Sequence, residues 1–353
     1  MFGKILLWVA AYVAVFSGCS SDKLDIRAIC LRDNIGNYVI KWETVPAIEG
    51  ILKIAISDTP EHFDDQSPAI YANIHDGVAT YITNDNISRK YFQLTFNGKY
   101  NCVIGARSIV MDHVQNLRDV GGYPATGGKQ VRWDRVFRSG QLGKVDEWDS
   151  LRLANLGIRT VIDLRMPEEV AQAPVEHLGD VRVVHAPIAI GKIHDAPKRV
   201  IEGRMRKGDA LVYMQDEYLQ FVTDNSRSLA QALRPFLEER NYPILISCSY
   251  GKDRTGFLVA MLLTALGVSY DSVVEDYLMS NRYIDISRLE NEVSHLSSDA
   301  QESITVFLTA NEELLDLAFH KIRKEYGSVE RYLEKELELT DKKREKLKEL
   351  LLY

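Results

Sequence analysis

The stretch I-L-I-S-C-S-Y-G-K-D-R-T-G, residues 244–256, determines how the surrounding chain folds. A short β-prone run leads into Cys248, five residues separate this cysteine from Arg254, and an apolar segment with helical character follows. The pattern predicts a strand, a tight loop and a helix N-terminus. Backbone N–H groups of such a loop converge on one point, where the helix dipole adds positive potential. The loop is therefore predicted to bind an anion, most simply a phosphate.

The two ends of this loop carry the residue types that phosphoryl transfer needs. The thiol of Cys248 lies near N–H dipoles, a helix N-terminus and Arg254, and all of these favour a nucleophilic thiolate. The guanidinium of Arg254 can bind two phosphate oxygens and stabilise their charge in the transition state. Attack by sulfur would give a cysteinyl-phosphate that water hydrolyses, and Thr255 is placed to hydrogen-bond the leaving sulfur. The predicted substrate-binding residues of the loop are Ser249, Tyr250, Gly251 and Lys252.

The second part of the chain, residues 109–353, alternates between strand and helix patterns before it becomes almost wholly helical after Gly267. Such alternation indicates an α/β architecture, in which helices flank a largely parallel central sheet. The predicted strands are Val131–Phe137, Ile158–Leu164, Val181–Pro187 and the strand that begins at Ile244. The predicted helical tracts before Gly267 are Lys144–Leu156, Gln215–Glu239 and Phe257–Leu266.

The loop C-S-Y-G-K-D-R-T-G resembles the signature of cysteine-dependent protein tyrosine phosphatases, and most closely that of the bacterial tyrosine and dual-specificity branch. Further motifs of that group follow in order over residues 110–353: N-L-R-D-V-G-G at 116–122, R-S-G at 138–140, I-D-L-R at 162–165, D-Y-L at 276–278 and Y-G-S at 326–328. The resemblance implies an α/β cysteine-phosphatase fold with Cys248 as nucleophile, Arg254 as phosphate ligand and Thr255 as helper. Arg165 is a further candidate for substrate binding. The resemblance implies no cofactor and no metal.

One position departs from the family pattern. Ser247 stands where relatives carry a histidine just before the nucleophile, and a neutral hydroxyl cannot supply that histidine's positive charge. A phosphate-binding pseudoenzyme or adhesion lipoprotein is therefore kept as an alternative to an active enzyme.

The general acid has two candidates. Asp253 lies inside the loop and could protonate the leaving oxygen directly. Asp195 follows a predicted strand at the position where tyrosine phosphatases carry a mobile acid loop. Asp163 and Asp119 are further carboxylates of the family motifs, and we expect them to hold arginines in place.

A phosphoinositide phosphatase of the same fold is the alternative enzyme. Lys252, beside the phosphate, and the basic run from Lys198 to Lys207 could bind a ring that carries several phosphates. An exposed helix face explains the same basic run equally well.

Residues 19–108 alternate as short strands and turns, which predicts an antiparallel β-sandwich with Trp42 in its core. The pattern resembles a fibronectin type III or immunoglobulin-like module, with a spacer or interaction role. The seven predicted strands are Ile26–Leu31, Tyr38–Glu43, Gly50–Ser57, Ala69–Ile74, Val78–Ile82, Tyr91–Phe96 and Asn101–Ala106. Cys30 and Cys102 fall in the first and last of them, either as a disulfide or as two buried thiols.

Residues 1–18 have the pattern of a lipoprotein signal peptide: Lys4, an apolar run from Ile5 to Phe16, and small residues before Cys19. Acylation of Cys19 would anchor the mature chain to a membrane of the bacterial cell envelope. The anchored chain would face either the periplasm or the cell surface.

The overall composition narrows the possible partners. The net charge of −7 gives no indication of nucleic-acid binding, and the 8 histidines show no metal-ligand spacing. The partners that fit are a phosphoprotein or a phosphoinositide substrate.

Overall fold

A computed structural model describes residues 24–353 except 34, 65–66, 86, 144, 176–177, 190–198, 201 and 290–292. Its first part consists of two antiparallel sheets packed around one core. One sheet has the strand order β1-β2-β5 and the other β4-β3-β6-β7. The strands are β1 (Asp25–Arg32), β2 (Tyr38–Val45), β3 (Ile51–Ser57), β4 (Ala69–Asn73), β5 (Val78–Tyr81), β6 (Tyr91–Phe96) and β7 (Tyr100–Gly105).

All seven predicted strands of this domain form, with shifts of a few residues at their ends. Alternating apolar side chains fill the space between the sheets, and Trp42 lies among them with its indole N–H donating to the carbonyl of Ile74 at 2.7 Å. Cys30 and Cys102 are two buried thiols and are not joined in a disulfide. Burial disfavours the thiolate and raises the pKa of Cys30 far above its ordinary value.

The second part is built on a five-stranded sheet with the order β13-β12-β14-β11-β8. The strands are β8 (Arg118–Asp119), β11 (Val136–Ser139), β12 (Thr160–Asp163), β13 (Arg182–His185) and β14 (Ile244–Ser247), and a small separate hairpin is made of β9 (Pro124–Ala125) and β10 (Lys129–Gln130). β11, β12, β13 and β14 run parallel, whereas β8 pairs antiparallel with β11. β14 lies at the centre, so the segment after it leaves from the middle of the sheet.

Helices cover both faces of this sheet, as predicted for an α/β cysteine-phosphatase fold. Ile244 and Ile246 of β14 face the larger core cluster, while Leu245 faces the smaller one on the other side. The helices are α1 (Glu147–Asn155), α2 (Pro167–Gln172), α3 (Lys207–Val222), α4 (Ser226–Leu233), α5 (Asp253–Ala265), α6 (Tyr270–Leu278), α7 (Ser280–Tyr283), α8 (Ser298–Leu308), α9 (Glu312–Tyr326), α10 (Val329–Lys335) and α11 (Asp341–Leu351). Among the described residues, no helix has the length and apolar character needed to cross a membrane.

Several predicted boundaries are wrong for local reasons. β11 begins five residues later than predicted, because the chain turns at Asp134, whose φ is +60°. α1 begins at Glu147 because the Asp146 side chain caps it by accepting from the N–H of Asp149. The tract predicted from Gln215 is two helices, and the first begins at Lys207. α5 begins at Asp253, four residues earlier than predicted, which brings Arg254 into its first turn.

Candidate active site

Cys248 lies at the carboxyl edge of the central strand. The register of the sheet places Ser247 beside Ser139 on one neighbouring strand and beside Asp163 on the other. Cys248 follows directly and is only 3% exposed. Helix α5 begins five residues later, so the loop of residues 248–252 lies between a strand end and a helix N-terminus, as the sequence predicts.

The backbone of this loop is held from outside. The side-chain amide of Asn116 donates to the carbonyl of Tyr250 at 3.0 Å, and Arg138 donates to the carbonyl of Gly251 at 2.7 Å. Because the C=O and the following N–H of a peptide unit point in opposite directions, fixing these carbonyls turns the N–H groups of Gly251 and Lys252 towards the inside of the loop. The loop thus presents donors to an anion.

Gly251 is required for this shape. Its φ is +66°, and a Cβ atom there would lie 2.4 Å from the backbone of Ser139. Tyr250, one residue earlier, is 40% exposed and therefore stands at the surface of the loop.

Arg254 enters the loop from the first turn of α5 and is 3% exposed. Its two terminal nitrogens donate to the two carboxylate oxygens of Glu169 at 2.6 and 2.7 Å, and one of them also donates to Ser249 Oγ at 3.0 Å. Burial opposes its charge, but the hydrogen bonds that it donates to Glu169 and the attraction by Cys248, Glu169 and Asp253 outweigh burial and raise the pKa of Arg254. The guanidinium is fixed and charged next to the thiol.

Glu169 is a site residue that the sequence analysis missed. It lies in α2, and besides holding Arg254 it accepts from the hydroxyl of Ser249 and from the N–H of Met166. Burial opposes ionisation, but Arg254 and these donors prevail and lower the pKa of Glu169 to about 2. The Ser249 hydroxyl, predicted to bind substrate, is thus engaged by Glu169 and Arg254, and its backbone remains the part that faces an anion.

Asp253 is the first residue of α5, directly after the loop. Its Oδ1 accepts from the ammonium of Lys252 at 2.6 Å and from the hydroxyl of Tyr218 at 2.8 Å. The hydroxyl of Tyr277 lies 2.6 Å from that of Tyr218 and completes a buried chain of hydrogen bonds. Within the described part of the chain, Asp253 Oδ2 has no hydrogen-bond partner, and the side chain is 17% exposed. One carboxylate oxygen is therefore fixed, and the other has no partner among the described residues.

The predicted role of Lys252 is not supported by its placement. The side chain is completely buried, and its ammonium pairs with Asp253 rather than facing the outside of the loop. Its predicted use, attraction of a second phosphate on a substrate ring, needs an accessible ammonium. Lys252 holds Asp253 instead.

Arg165 does not belong to the loop either. It is 1% exposed. Its guanidinium donates hydrogen bonds to the Asp163 carboxylate at 2.8 to 3.2 Å and to the carbonyl of Ala173. Asp163 therefore holds an arginine, as predicted, and the buried pair braces the end of β12. The predicted substrate-binding role of Arg165 stays a prediction, and it would require this guanidinium to leave its present partners.

Two hydroxyls beside the nucleophile have no partner. Thr255 Oγ1 is buried without a hydrogen bond to Cys248 or to any other described residue, so the predicted contact with sulfur is not formed here. Ser247 Oγ, at the position of the family histidine, is likewise buried and unpartnered within the described chain. Ser247 therefore does not replace that histidine as a hydrogen-bonding group.

The remaining candidates lie away from the loop or outside the described residues. Asp195 and Lys198 fall among residues that are not described. Arg204 pairs with Glu202, and Lys207 pairs with Glu302 at 3.1 Å, at the start of α3. Two of the described basic residues of this run thus form surface ion pairs.

One group of possible metal ligands occurs among the described residues: His113, Asp146 and Asp149. Both carboxylates already accept hydrogen bonds from backbone N–H groups. Asp146 caps α1, and Asp149 accepts from the N–H groups of Asp112 and His113 at 2.8 Å each. The group lies at a helix N-terminus, whose dipole disfavours a cation.

Comparison with known proteins agrees with this geometry. The sequence profile described as the tyrosine phosphatase family matches residues 109–353, more than half of the chain. The chain belongs to the tyrosine phosphatase family. A protein of Cupriavidus necator whose name places it among the tyrosine-protein phosphatases is 29% identical over 67% of this chain and 86% of its own length. The triple specificity protein phosphatase PtpB of Mycobacterium tuberculosis is 32% identical over 62% of this chain and 90% of its own.

Among solved structures, the catalytic domain of the PP-IP phosphatase SIW14 from S. cerevisiae is 14% identical, with a TM-score of 0.27 over 60% of this chain and 94% of that one.

Glu217 is a second carboxyl of this phosphatase site that the sequence analysis missed. It lies in α3, one residue before Tyr218, and is 1% exposed, and its Oε2 has no hydrogen-bond partner among the described residues. Burial and repulsion by Asp253 outweigh a hydrogen bond with Tyr213 and attraction by Arg254, and they raise the pKa of Glu217 to about 7. On sequence alone, a glutamate in a helix is indistinguishable from one that faces solvent.

Glu217 makes stability depend on pH. Its pKa is about 7 in the folded chain against an ordinary value of 4.5, so between these values the folded state keeps a proton that the unfolded state loses, and stability falls as pH rises. We expect Glu217→Gln to leave stability nearly unchanged at pH 4 and to increase it by up to about 3 kcal/mol at pH 8. Urea unfolding at the two pH values measures this.

The exposed Asp224, two residues after the end of α3, serves as the matched control, and its replacement by Asn should show no such difference. A Glu217→Gln variant that is less stable than the wild type at pH 8 would contradict the assignment of a buried, neutral carboxyl.

Proposed function

We propose that the protein is a phosphoric monoester hydrolase that acts on phosphotyrosine and other phosphoprotein monoesters through a cysteinyl-phosphate on Cys248. The observation that carries the proposal is the placement of Cys248 and Arg254 at the two ends of one anion-binding loop, between the central strand and the N-terminus of α5. Membership of the tyrosine phosphatase family and the names of the two relatives support the same reaction.

The first step transfers the phosphoryl group to sulfur. The thiolate of Cys248 attacks phosphorus, the bond from phosphorus to the leaving oxygen breaks, and that oxygen takes the proton of Asp253. The N–H groups of the loop and the guanidinium of Arg254 bind the three non-bridging oxygens as their charge shifts. Glu169 holds Arg254 in position throughout.

The second step releases phosphate. A water molecule gives a proton to the Asp253 carboxylate and attacks phosphorus, and the sulfur–phosphorus bond breaks to restore the thiolate. The hydroxyl of Thr255 has no hydrogen-bond partner among the described residues and is available to hydrogen-bond the departing sulfur. Neither step needs a cofactor.

Asp253 is the favoured general acid because Lys252 and Tyr218 fix its Oδ1, while its Oδ2 has no partner in the described part of the chain. Tyr250 lies at the loop surface, where the ring of a phosphotyrosine could pack against it. The phosphoinositide alternative loses its main argument, since the ammonium of Lys252 is buried against Asp253.

Turnover of para-nitrophenyl phosphate by the wild type and its loss in Cys248→Ser test the reaction. A panel of phosphotyrosine and phosphoserine peptides and phosphoinositides then tests the substrate class, and we expect the phosphotyrosine peptides to give the highest kcat/KM. Binding of tungstate without turnover would favour the pseudoenzyme, and faster hydrolysis of phosphoinositides than of peptides would reverse the substrate assignment.

We also propose that the chain is a lipoprotein of the bacterial cell envelope, anchored through Cys19, and that its N-terminal domain is a module of the fibronectin type III or immunoglobulin type. The apolar run before Cys19 supports the anchor, and seven antiparallel strands in two sheets support the module. Residues 1–23 lie outside the described part of the chain. Incorporation of a labelled fatty acid that persists in Cys19→Ser would contradict the anchor.

A further inference from the structure

One charged side chain of the N-terminal sandwich reaches into the second domain. Arg89 precedes β6, lies outside the residues that match the family, and is only 8% exposed. Its Nη1 donates to Asp119 Oδ2 at 2.9 Å and also contacts Asp134, and its Nη2 donates to the carbonyl of Ala106 at 3.1 Å. Its guanidinium also lies over the rings of Tyr91 and Phe137. A charge this buried is stable only with such partners.

Asp119 depends on Arg89. Its carboxylate is completely buried and accepts from the N–H groups of Gly121 and Asp134 at 2.7 and 2.9 Å. Within the described chain, Arg89 is the only cation that forms an ion pair with it. Without Arg89, the carboxylate would keep two neutral donors and lose its countercharge.

Asp119 belongs to a strand that holds the phosphate loop. In β8 it follows Arg118, which donates to the carbonyl of Asp276 at 2.7 Å and to Ser280. The carboxylate of Asp276 also binds Arg138, and Arg138 donates to the carbonyl of Gly251.

Two further contacts connect this strand region with the loop. Asn116, next to β8, binds Arg118 and holds the carbonyl of Tyr250. Asp119 itself pairs with Phe137, the residue before Arg138 in β11. Asn116 and Arg138, which orient the loop, thus lie next to β8, the strand that Arg89 binds through Asp119.

We propose that Arg89 is a positioning residue of the active site, through which the sandwich domain fixes β8 and thereby the N–H groups of the phosphate loop. The inference rests on the proposed function, because it assigns to those N–H groups the binding of the transferred phosphoryl group. It also gives the sandwich a role beyond that of a spacer: part of the catalytic unit lies outside the family region.

The test compares the full-length wild type with Arg89→Met, Arg89→Lys and the control Arg27→Met. Arg27 also forms ion pairs in the sandwich, with Asp25 and Glu43, but on its exposed surface. Hydrogen exchange at the loop amides 249–252 is the first measurement, and the inhibition constant of tungstate and kcat for para-nitrophenyl phosphate are the second.

We expect Arg89→Met to speed exchange of the loop amides, and to weaken tungstate inhibition and lower kcat about tenfold. Arg89→Lys should recover part of each effect because it restores the charge, and Arg27→Met should change none. Should Arg89→Met fail to fold, Arg89→Lys provides the test. A lysine cannot form all the hydrogen bonds of the guanidinium, so faster exchange of the loop amides is still expected. Unchanged loop exchange and inhibition in a folded Arg89 variant of lower melting temperature would overturn the proposal, because Arg89 would then only join the domains. Hydrogen exchange measures the protection of the loop amides and does not require turnover. An inactive wild type would therefore refute the proposed reaction and still leave the effect of Arg89 measurable.

Discussion

The Arg254→Lys variant is expected to have a kcat about 10³-fold below that of the wild type, although it keeps the positive charge. A lysine ammonium is a point charge, and it cannot hold the two oxygens of Glu169 and present a planar fork to a phosphate at the same time. Lysine is preferable to alanine here, because alanine would leave Glu169 partly buried without a countercharge and so confuse catalysis with stability. Steady-state kinetics on para-nitrophenyl phosphate measure the effect.

The control for this change is Arg227→Lys on the exposed surface of α4, which should behave like the wild type. Circular dichroism shows whether both variants are folded. An Arg254→Lys variant that keeps more than a tenth of the wild-type kcat would mean that the guanidinium fork is not what stabilises the transition state.

The Asp253→Asn variant is expected to lose about 10²-fold or more in the turnover of a phosphotyrosine peptide. Asparagine has no acidic proton for the leaving oxygen, and the phenolate of tyrosine is a poor leaving group without one. The loss should be much smaller with para-nitrophenyl phosphate, whose leaving group departs readily as an anion. The ratio of kcat/KM for the two substrates is therefore the measurement, with the exposed Asp216→Asn as control.

This ratio separates the two candidates for the acid. If Asp253→Asn lowers kcat/KM equally for both substrates, or for neither, Asp253 does not protonate the leaving oxygen. A selective loss of peptide turnover in Asp195→Asn would then assign that role to Asp195.

The parts of the fold that the sequence predicts well are those in which the information is local. The alternation of apolar residues predicts the seven strands of the sandwich, because one face of each strand must be buried. The loop is predictable because its nucleophile, its glycine and its arginine lie within seven residues, between an apolar strand and an apolar helix. The start of α5 is not predictable, because nothing in the sequence K-D-R-T-G distinguishes a loop from the first turn of a helix.

The partners of the loop residues depend on packing between distant segments. Glu169 precedes Arg254 by 85 residues, and Tyr218 precedes Asp253 by 35. Glu169 is a glutamate in a short helix, and only the tertiary fold brings it to a guanidinium. Lys252 shows the same limit for a residue inside the motif. Its neighbours are known from the sequence, but its buried ammonium is directed by the ion pair with Asp253.

The central claim is that Cys248 becomes phosphorylated during turnover. Rapid acid quenching of the wild type with excess para-nitrophenyl phosphate, followed by mass spectrometry of the intact protein and its peptides, measures this directly. We predict one phosphoryl group on the peptide that contains Cys248 in the wild type, a larger phosphorylated fraction in Thr255→Ala if that hydroxyl assists the second step, and none in Cys248→Ser. Turnover by the wild type without phosphorylation of Cys248, or with phosphate on another residue, would contradict the claim.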